Sequence, residues 1–271
     1  MLIDNHEELR AQYNPDGSNL RRAQLKMLEM LKFIDRVCQE QKIRYWLDGG
    51  TLLGAARHGG FIPWDDDTDI VMPRKDYRKF KDYMIHHNPS SQYVLQCHKT
   101  DKNYYGTWGV LRDLNNHYVQ NNNRLNHFMY QGIQVDIFPV DEKSSCKSLY
   151  KICRWVFAWL VDAPQFKGRR LKYIRWNVPI AYHFLTKVLV PVCRFLTRND
   201  KVHFSHQYGT FWYHRWTNGM SYPIGTIQFE GFTFSAPHDV DAYLTTIYGD
   251  WHKLPPEKNR YNHQFSFELK D

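Results

Sequence analysis

The sequence predicts an α/β (α+β) fold: a mixed-sheet core carrying a helical insertion rich in basic and aromatic residues. Three observations lead there. Over residues 20–140, apolar runs of strand length alternate with amphipathic helical periods, and the joints between them are short. The stretch Leu47–Met72, LDGGTLLGAARHGGFIPWDDDTDIVM, concentrates five of the 15 glycines and five aspartates. Residues 143–215 differ in kind, being rich in Trp, Tyr, Phe, Lys and Arg.

Residues 18–40 read as a helix. Ser18 or Asn19 is placed to cap it, and Leu20, Met27, Leu28, Leu31, Ile34 and Cys38 share a face. IRYWLD (43–48) reads as a short strand, Gly49-Gly50 as a turn, and TLLGAARH (51–58) as a brief helix ended by Gly59-Gly60. DTDIVM (67–72) is a second strand. Pro73 then opens a helix to about His87, with Tyr77, Phe80, Tyr83 and Met84 inward. YVLQC (93–97), YYGTWGVLRD (104–113) and GIQVDIFPV (132–140) are further strands. The expected organisation is a core over 1–142, the insertion over 143–215, and a part over 216–271 that completes the core.

With 271 residues, 42% apolar and 16% aromatic, the chain suits one large domain or one domain with an insertion. Its five cysteines (Cys38, Cys97, Cys146, Cys153, Cys193) form no C-x-x-C pair, so reduced thiols are expected rather than a disulfide framework or a zinc knuckle. The opening MLIDNHEELRAQYN has neither a basic nor an apolar leader region, which points to a cytoplasmic protein. The net charge of +8 is uneven. Residues 143–215 hold 14 Lys and Arg against two acids, Asp162 and Asp200, so the rest of the chain is net negative by four.

The insertion contains two apolar runs, ICRWVFAWLV and VPIAYHFLTKVLVPVCRFL. The first is too short to span a bilayer, and the second is interrupted by His183, Lys187, Arg194 and two prolines. Interfacial amphipathic helices are expected instead, in peripheral contact with an anionic inner membrane face. A nucleic-acid groove does not require such apolar runs between its basic residues, so no nucleic-acid partner is expected, although basic residues interleaved with aromatics also suit nucleic acid.

Asp65, Asp66, Asp67 and Asp69 place four carboxylates in five residues, flanked by Ile62, Pro63, Trp64, Ile70 and Val71. On a strand, Asp67 and Asp69 point to one face, roughly 6.5–7 Å apart at Cα. Two convergent carboxylates suit a hard divalent ion, which leaves positions open for substrate phosphates. Asp136, isolated among apolar residues, is the natural third carboxylate. Gly49 and Gly50 would let backbone N–H groups approach a phosphate. The plainer reading, a solvated acidic turn, sits poorly with the apolar strand that follows and with Asp136.

The string DGGTLLGAARHGGFIPWDDDTDIVM resembles the LicD family of the nucleotidyltransferase-fold superfamily. The superfamily pattern is met by Gly49-Gly50, by Asp67-Thr68-Asp69-Ile70 and by Val135-Asp136-Ile137, and YLTTIYGDWHKLPP resembles the family's ending. The resemblance covers about residues 20–265. It implies a nucleotidyltransferase-fold core and Mg²⁺- or Mn²⁺-dependent transfer of phosphocholine from CDP-choline. The implied acceptor is a sugar hydroxyl of a lipid-linked oligosaccharide, a precursor of teichoic acid or lipopolysaccharide. The fukutin-related members move ribitol phosphate and carry a cysteine zinc loop that has no counterpart here, which favours the phosphocholine branch. The alternatives are another CDP-activated phospho-alcohol, or a membrane-surface or polyanion-binding protein with a degenerate core.

The implied roles are as follows. Asp67, Asp69 and Asp136 are the catalytic metal ligands, with Asp136 alternatively the base near the acceptor hydroxyl. Asp65 orders metal waters or pairs with Arg57. Gly49, Gly50, Thr51, Arg57, His58, Lys258 and Arg260 bind phosphate, and His263 joins Lys258 and Arg260 in the tail. Arg57 could equally do no more than neutralise the aspartates, and Asp48 is expected to anchor the glycine loop. Choline calls for an aromatic cage. Trp64, Trp108 and Tyr105 lie near the motif, but core packing explains each of them as well.

Overall fold

The structure is a computed structural model that describes residues 6–120, 127–141, 147–162, 169–196, 203–210, 214–261 and 265–268. After a short α1 (His6–Tyr13), the long amphipathic period becomes α2 (Asn19–Gln41). Ser18 caps it, its hydroxyl accepting from Arg21 N at 3.1 Å. Met27, Leu28, Leu31, Ile34 and Cys38 are buried on the expected face.

A seven-stranded mixed sheet follows: β1 (Trp46–Leu47), β2 (Asp69–Pro73), β3 (Tyr93–Gln96), β4 (Gly109–Asp113), β6 (Gln134–Asp141), β7 (His203–His206) and β8 (Arg215–Thr217). The order β1-β2-β6-β4-β3 places β2 beside β6 in the sheet's one parallel pairing, and β7 joins the far end of β6 and carries β8. α3 (Gly49–His58) links β1 to β2, and α4 (Arg74–His87) follows β2. β5 (His117–Gln120) pairs instead with the C-terminal β11 (Phe265–Glu268).

Several expected boundaries shift. The strand read over 67–72 opens at Asp69, so Asp67 lies in the loop before it and not on the strand face beside Asp69. The strand read over 43–48 is reduced to two residues. The helix begins at Gly49 rather than Thr51, because the glycines form its first turn. The strand read over 104–113 starts at Gly109, since Tyr104 is drawn into a small separate cluster with Val110 and Phe128.

The described residues of 147–162 and 169–196 are helical, as α5 (Lys147–Asp162), α6 (Arg169–Phe184), a π turn (Leu185–Leu189) and α7 (Val190–Leu196). The window read as a helical insertion nevertheless contains β7, which returns to the main sheet with His206 opposite Val140. Four residues are too few for a strand period to show. Trp176–Leu196 also runs unbroken for 21 residues, long and apolar enough by length and composition to cross a membrane, with Val178, Leu185, Val190 and Cys193 buried. This corrects the expectation that its prolines interrupt it. Val190 N bonds Leu185 O, five residues back, so the hydrogen-bond register has already shifted where Pro191 lacks a donor.

The chain closes with α8 (Asn218–Ser221), the hairpin of β9 (Gly225–Phe229) and β10 (Phe232–Ala236), and α9 (Val240–Tyr248). The hairpin turn is tied to the motif loop through Glu230. Arg21 Nη2 donates to Glu230 Oε2 at 2.6 Å, and Phe61 N donates to Glu230 Oε1 at 3.1 Å. The main core joins α2, the sheet and the hairpin, while Tyr150, Phe157, Val178, Leu185, Cys193 and Tyr208 belong to a second core under the inserted helices. Cys38, Cys97, Cys153 and Cys193 are buried free thiols, and Cys146 lies outside the described residues.

Candidate active site

β2 opens at Asp69, which is in register with Asp136 on the parallel β6, so the two carboxylate-bearing residues are sheet neighbours. The strand ends are pinned by Thr51 Oγ1, which accepts from Asp69 N at 2.8 Å, and by Asp136 N donating to Thr68 O at 2.9 Å. The glycines have a steric reason. A Cβ on Gly49 would lie 2.8 Å from Asp69 Oδ2, and one on Gly50 2.5 Å from Asp65 Oδ2. Gly49 also takes φ +52°. Both carboxylates therefore sit against the first turn of α3, where the helix dipole partly offsets their repulsion.

That offset is incomplete. Burial, then the charges of Asp67, Asp136, Asp48 and Asp65, hold the Asp69 carboxyl well above the usual range. Asp65 is raised by burial and by Asp67, with which it shares a hydrogen bond. Asp136 is pushed up to about 6 by burial, against the hydrogen bonds of Trp108 Nε1 (2.8 Å) and Gln134 Nε2 (2.8 Å). Asp66 is fully buried and does not line the cavity described below.

Asp48 behaves differently. Burial alone would raise its pKa, but His206 Nε2 at 2.9 Å and Tyr243 OH at 2.7 Å outweigh burial and lower it. Its carboxylate is spent on these two partners and its N–H on Asp69 O at 3.1 Å, which locks the strand-to-α3 turn. Nothing in the sequence marks His206 as its partner.

A cavity of about 620 Å³ opens over this floor. Gly50, Asp65, Asp67 and Asp69 face it from the motif, and Tyr248, Trp251, Lys253 and Tyr261 come from the C-terminal segment. Arg57 is 3% exposed on its wall, with Nη1 donating to Trp251 O (3.0 Å) and Lys253 O (3.2 Å), so it fastens the C-terminal segment over the site. Burial, with the repulsion of Arg260, lowers its pKa to about 10. His58 lies behind Arg57, accepts from Arg57 Nε at 3.1 Å, and is lowered to about 3 by burial and Arg57, which keeps it neutral.

Of the tail cations, Arg260 stacks 5.6 Å over Trp64, itself in the cavity wall. Lys258 is exposed on a short 3₁₀ turn outside the cavity lining, and His263 lies outside the described residues. Sequence reasoning did not assign Tyr248, Trp251, Lys253 or Tyr261. The signal was the YGDWHKLPP stretch, which places a Tyr, a Trp and a Lys beside the motif.

Among the described residues, no three or more His, Cys, Asp or Glu side chains form a ready metal cage as they stand. The donor chemistry still fits a hard cation. The cluster offers carboxylate oxygens only, and its repulsion is eased by a hydrogen bond between Asp65 and Asp67 that a divalent ion can replace.

A mixed α/β sheet that sets carboxylates under a cavity of this size makes a site suited to a phosphate-bearing substrate. Residues 42–156 match the LicD/FKTN/FKRP nucleotidyltransferase domain, and the chain therefore carries a LicD-family domain. It is 29% identical over 265 residues to the lipopolysaccharide cholinephosphotransferase LicD of Haemophilus influenzae, covering 90% of this chain and 95% of that protein. Over 48 residues it is 52% identical to the ribitol 5-phosphate transferase FKRP of Homo sapiens, 18% of this chain and 10% of that protein.

Proposed function

We propose that this LicD-type phosphotransferase moves phosphocholine from CDP-choline to a sugar hydroxyl of a lipid-linked cell-surface glycan precursor, working at the inner face of a membrane. The observation that carries the reading is the carboxylate set of Asp65, Asp67 and Asp69 facing a cavity large enough for a nucleotide, with Asp136 beside Asp69 on the neighbouring strand. The alignment with the LicD cholinephosphotransferase over 90% of the chain supports it.

Asp67 and Asp69, with Asp65, would hold Mg²⁺ or Mn²⁺, which when bound would neutralise charge on the phosphate oxygens, and of the two roles open to Asp136 this leaves it that of the base. Gly50 leaves room for the donor beside the first turn of α3. Trp64, Tyr248, Trp251 and Tyr261 give the wall π faces for a quaternary ammonium. Asp136, raised to about 6 and held by Trp108 and Gln134, takes the proton of the acceptor hydroxyl. That oxygen bonds to the phosphocholine phosphorus as the bond to the bridging oxygen breaks, and CMP leaves.

The test is CMP release from a panel of CDP-alcohols, with and without divalent ions. CDP-choline with Mg²⁺ or Mn²⁺ is expected to be the best donor, and EDTA to abolish turnover without unfolding the chain. Asp67→Asn and Asp69→Asn should each lower turnover at least about a hundredfold, since each removes a ligand charge at constant shape. A preference for CDP-ribitol would favour the second reading, which the FKRP likeness supports. Release from no donor would leave a polyanion-binding protein with a degenerate core.

A further inference from the structure

A second cavity, of about 320 Å³, lies between α4 and the α6–α7 helix. Arg74, Arg78, Lys81, Lys99, Lys187 and Arg194 line it, and among the described residues no acidic one does. Asp141 stands behind two of them, bonding Arg74 Nη2 at 2.8 Å and Arg194 Nε at 3.1 Å. Lys99 meets Asp82 at 3.7 Å, across exposed side chains.

Six cations around one concavity thus face two nearby carboxylates, and concave walls concentrate that field. The cations repel one another: burial first, then Lys99 and Arg78, lower the Lys81 pKa. Lys187 comes from the π turn, a local widening of the helix that recurs at functional sites. Thr107 lines the same wall, and among the described residues its buried hydroxyl has no hydrogen-bond partner. Trp108, also in this wall, donates to Asp136, so the cavity reaches the back of the carboxylate cluster.

We propose that this cavity is a phosphate-binding site that holds the phosphate or diphosphate group of the acceptor, with Arg78, Lys81 and Lys187 as its principal contacts. Charge-assisted bonds from several cations suit a diphosphate, and the Thr107 hydroxyl supplies a neutral donor. The acceptor hydroxyl would then approach Asp136 past Trp108, opposite the cavity assigned to the CDP donor. The assignment rests on the transferase reading for the identity of the ligand, but not for its charge. Two sources of the group are possible: a lipid-linked diphosphate or a soluble phosphorylated sugar.

Calorimetric titration of the whole chain with inorganic pyrophosphate in EDTA reads the cavity without turnover and without the metal site. Wild type is expected to bind, with affinity falling steeply as salt rises. Arg78→Gln/Lys187→Gln is expected to weaken binding at least tenfold at unchanged melting temperature. Asp69→Asn should not weaken it. Equal affinity of wild type and the double variant, or no binding by either, overturns the proposal. Failure of CMP release with pyrophosphate binding intact would instead remove the transferase reading and leave the phosphate site. Pyrophosphate that displaces the chain from vesicles containing a polyprenyl diphosphate assigns the site to the lipid-linked group, and displacement from no such vesicle assigns it to the soluble one.

Discussion

Asp65, Asp69 and Asp136 sit where the fold opposes their ionisation, each carboxyl raised first by burial. A raised acid binds a proton more tightly folded than unfolded. Its stabilising contribution is therefore complete below the unfolded value, near 3.8, and is lost as pH rises through the folded value, about 6 for Asp136. Buried histidines such as His58, lowered to about 3, act with the opposite sign near their unfolded value of 6.5. The informative quantity is then the difference between wild type and Asp69→Asn, in which the histidines cancel. Without divalent ions, Asp69→Asn should melt higher than wild type at pH 7, by several degrees, and the gap should close toward pH 4. Mg²⁺ or Mn²⁺ should raise the wild-type melting temperature at pH 7 and leave the variant nearly unmoved. A variant that melts lower than wild type at pH 7 would show that Asp69 is stabilising and not strained.

At the scale of elements, α3 is built around what its first turn must accommodate. Gly50 is helical, so alanine there would by propensity add up to about 1 kcal/mol of stability. Its Cβ, however, would meet Asp65 Oδ2 at 2.5 Å, at the movable end of a side chain. Gly50→Ala should therefore keep the fold, with an unfolding free energy within about 1 kcal/mol of wild type, and lose most transfer activity as Asp65 is pushed aside. Loss of the fold would mean that the glycine serves the backbone. This pairing of glycine with carboxylate was only half legible in the sequence. Spacing alone could put Asp69 on a strand and make Asp136 its partner, because strand periodicity is local, but it also put Asp67 on that strand, which opens only at Asp69. It could not show that Thr51 spends its hydroxyl on Asp69 N, or that Asp48 is held by His206 and Tyr243. Those contacts span up to 195 residues and have no period to read. For the same reason β7, four residues inside the window read as helical, was invisible, whereas α2 and α4 came close to their expected bounds.

At the scale of the whole molecule, the inserted helices carry two faces with opposite fates. Val178, Leu185, Val190 and Cys193 pack inward on the second core. Outward, Trp176 (76% exposed), Ile180, Phe184, Val188, Val192 and Phe195 form a stripe along one helix, beside exposed Ile152 and Trp155 of α5. A strict four-residue spacing drifts around an α-helix of 3.6 residues per turn, and the wider π turn at Leu185–Leu189 offsets that drift. Lys151 and Arg154 are exposed among these apolar residues, within a window of 14 Lys and Arg against two acids. An anionic bilayer matches both properties: each Lys or Arg near such a surface contributes about 1 kcal/mol, and the apolar stripe enters the interface. Because the inward face is committed to the core, the helix should lie on the membrane rather than cross it, despite its sufficient length. Co-sedimentation should show binding to anionic vesicles at low salt, weak binding to neutral ones, and release at high salt. Trp176→Ser/Phe184→Ser should reduce the bound fraction severalfold without altering CMP release from soluble donor. Alkaline carbonate should strip the chain from vesicles; retention would mean that Trp176–Leu196 spans the bilayer, and equal binding to neutral and anionic vesicles would mean that the basic residues are simply solvated.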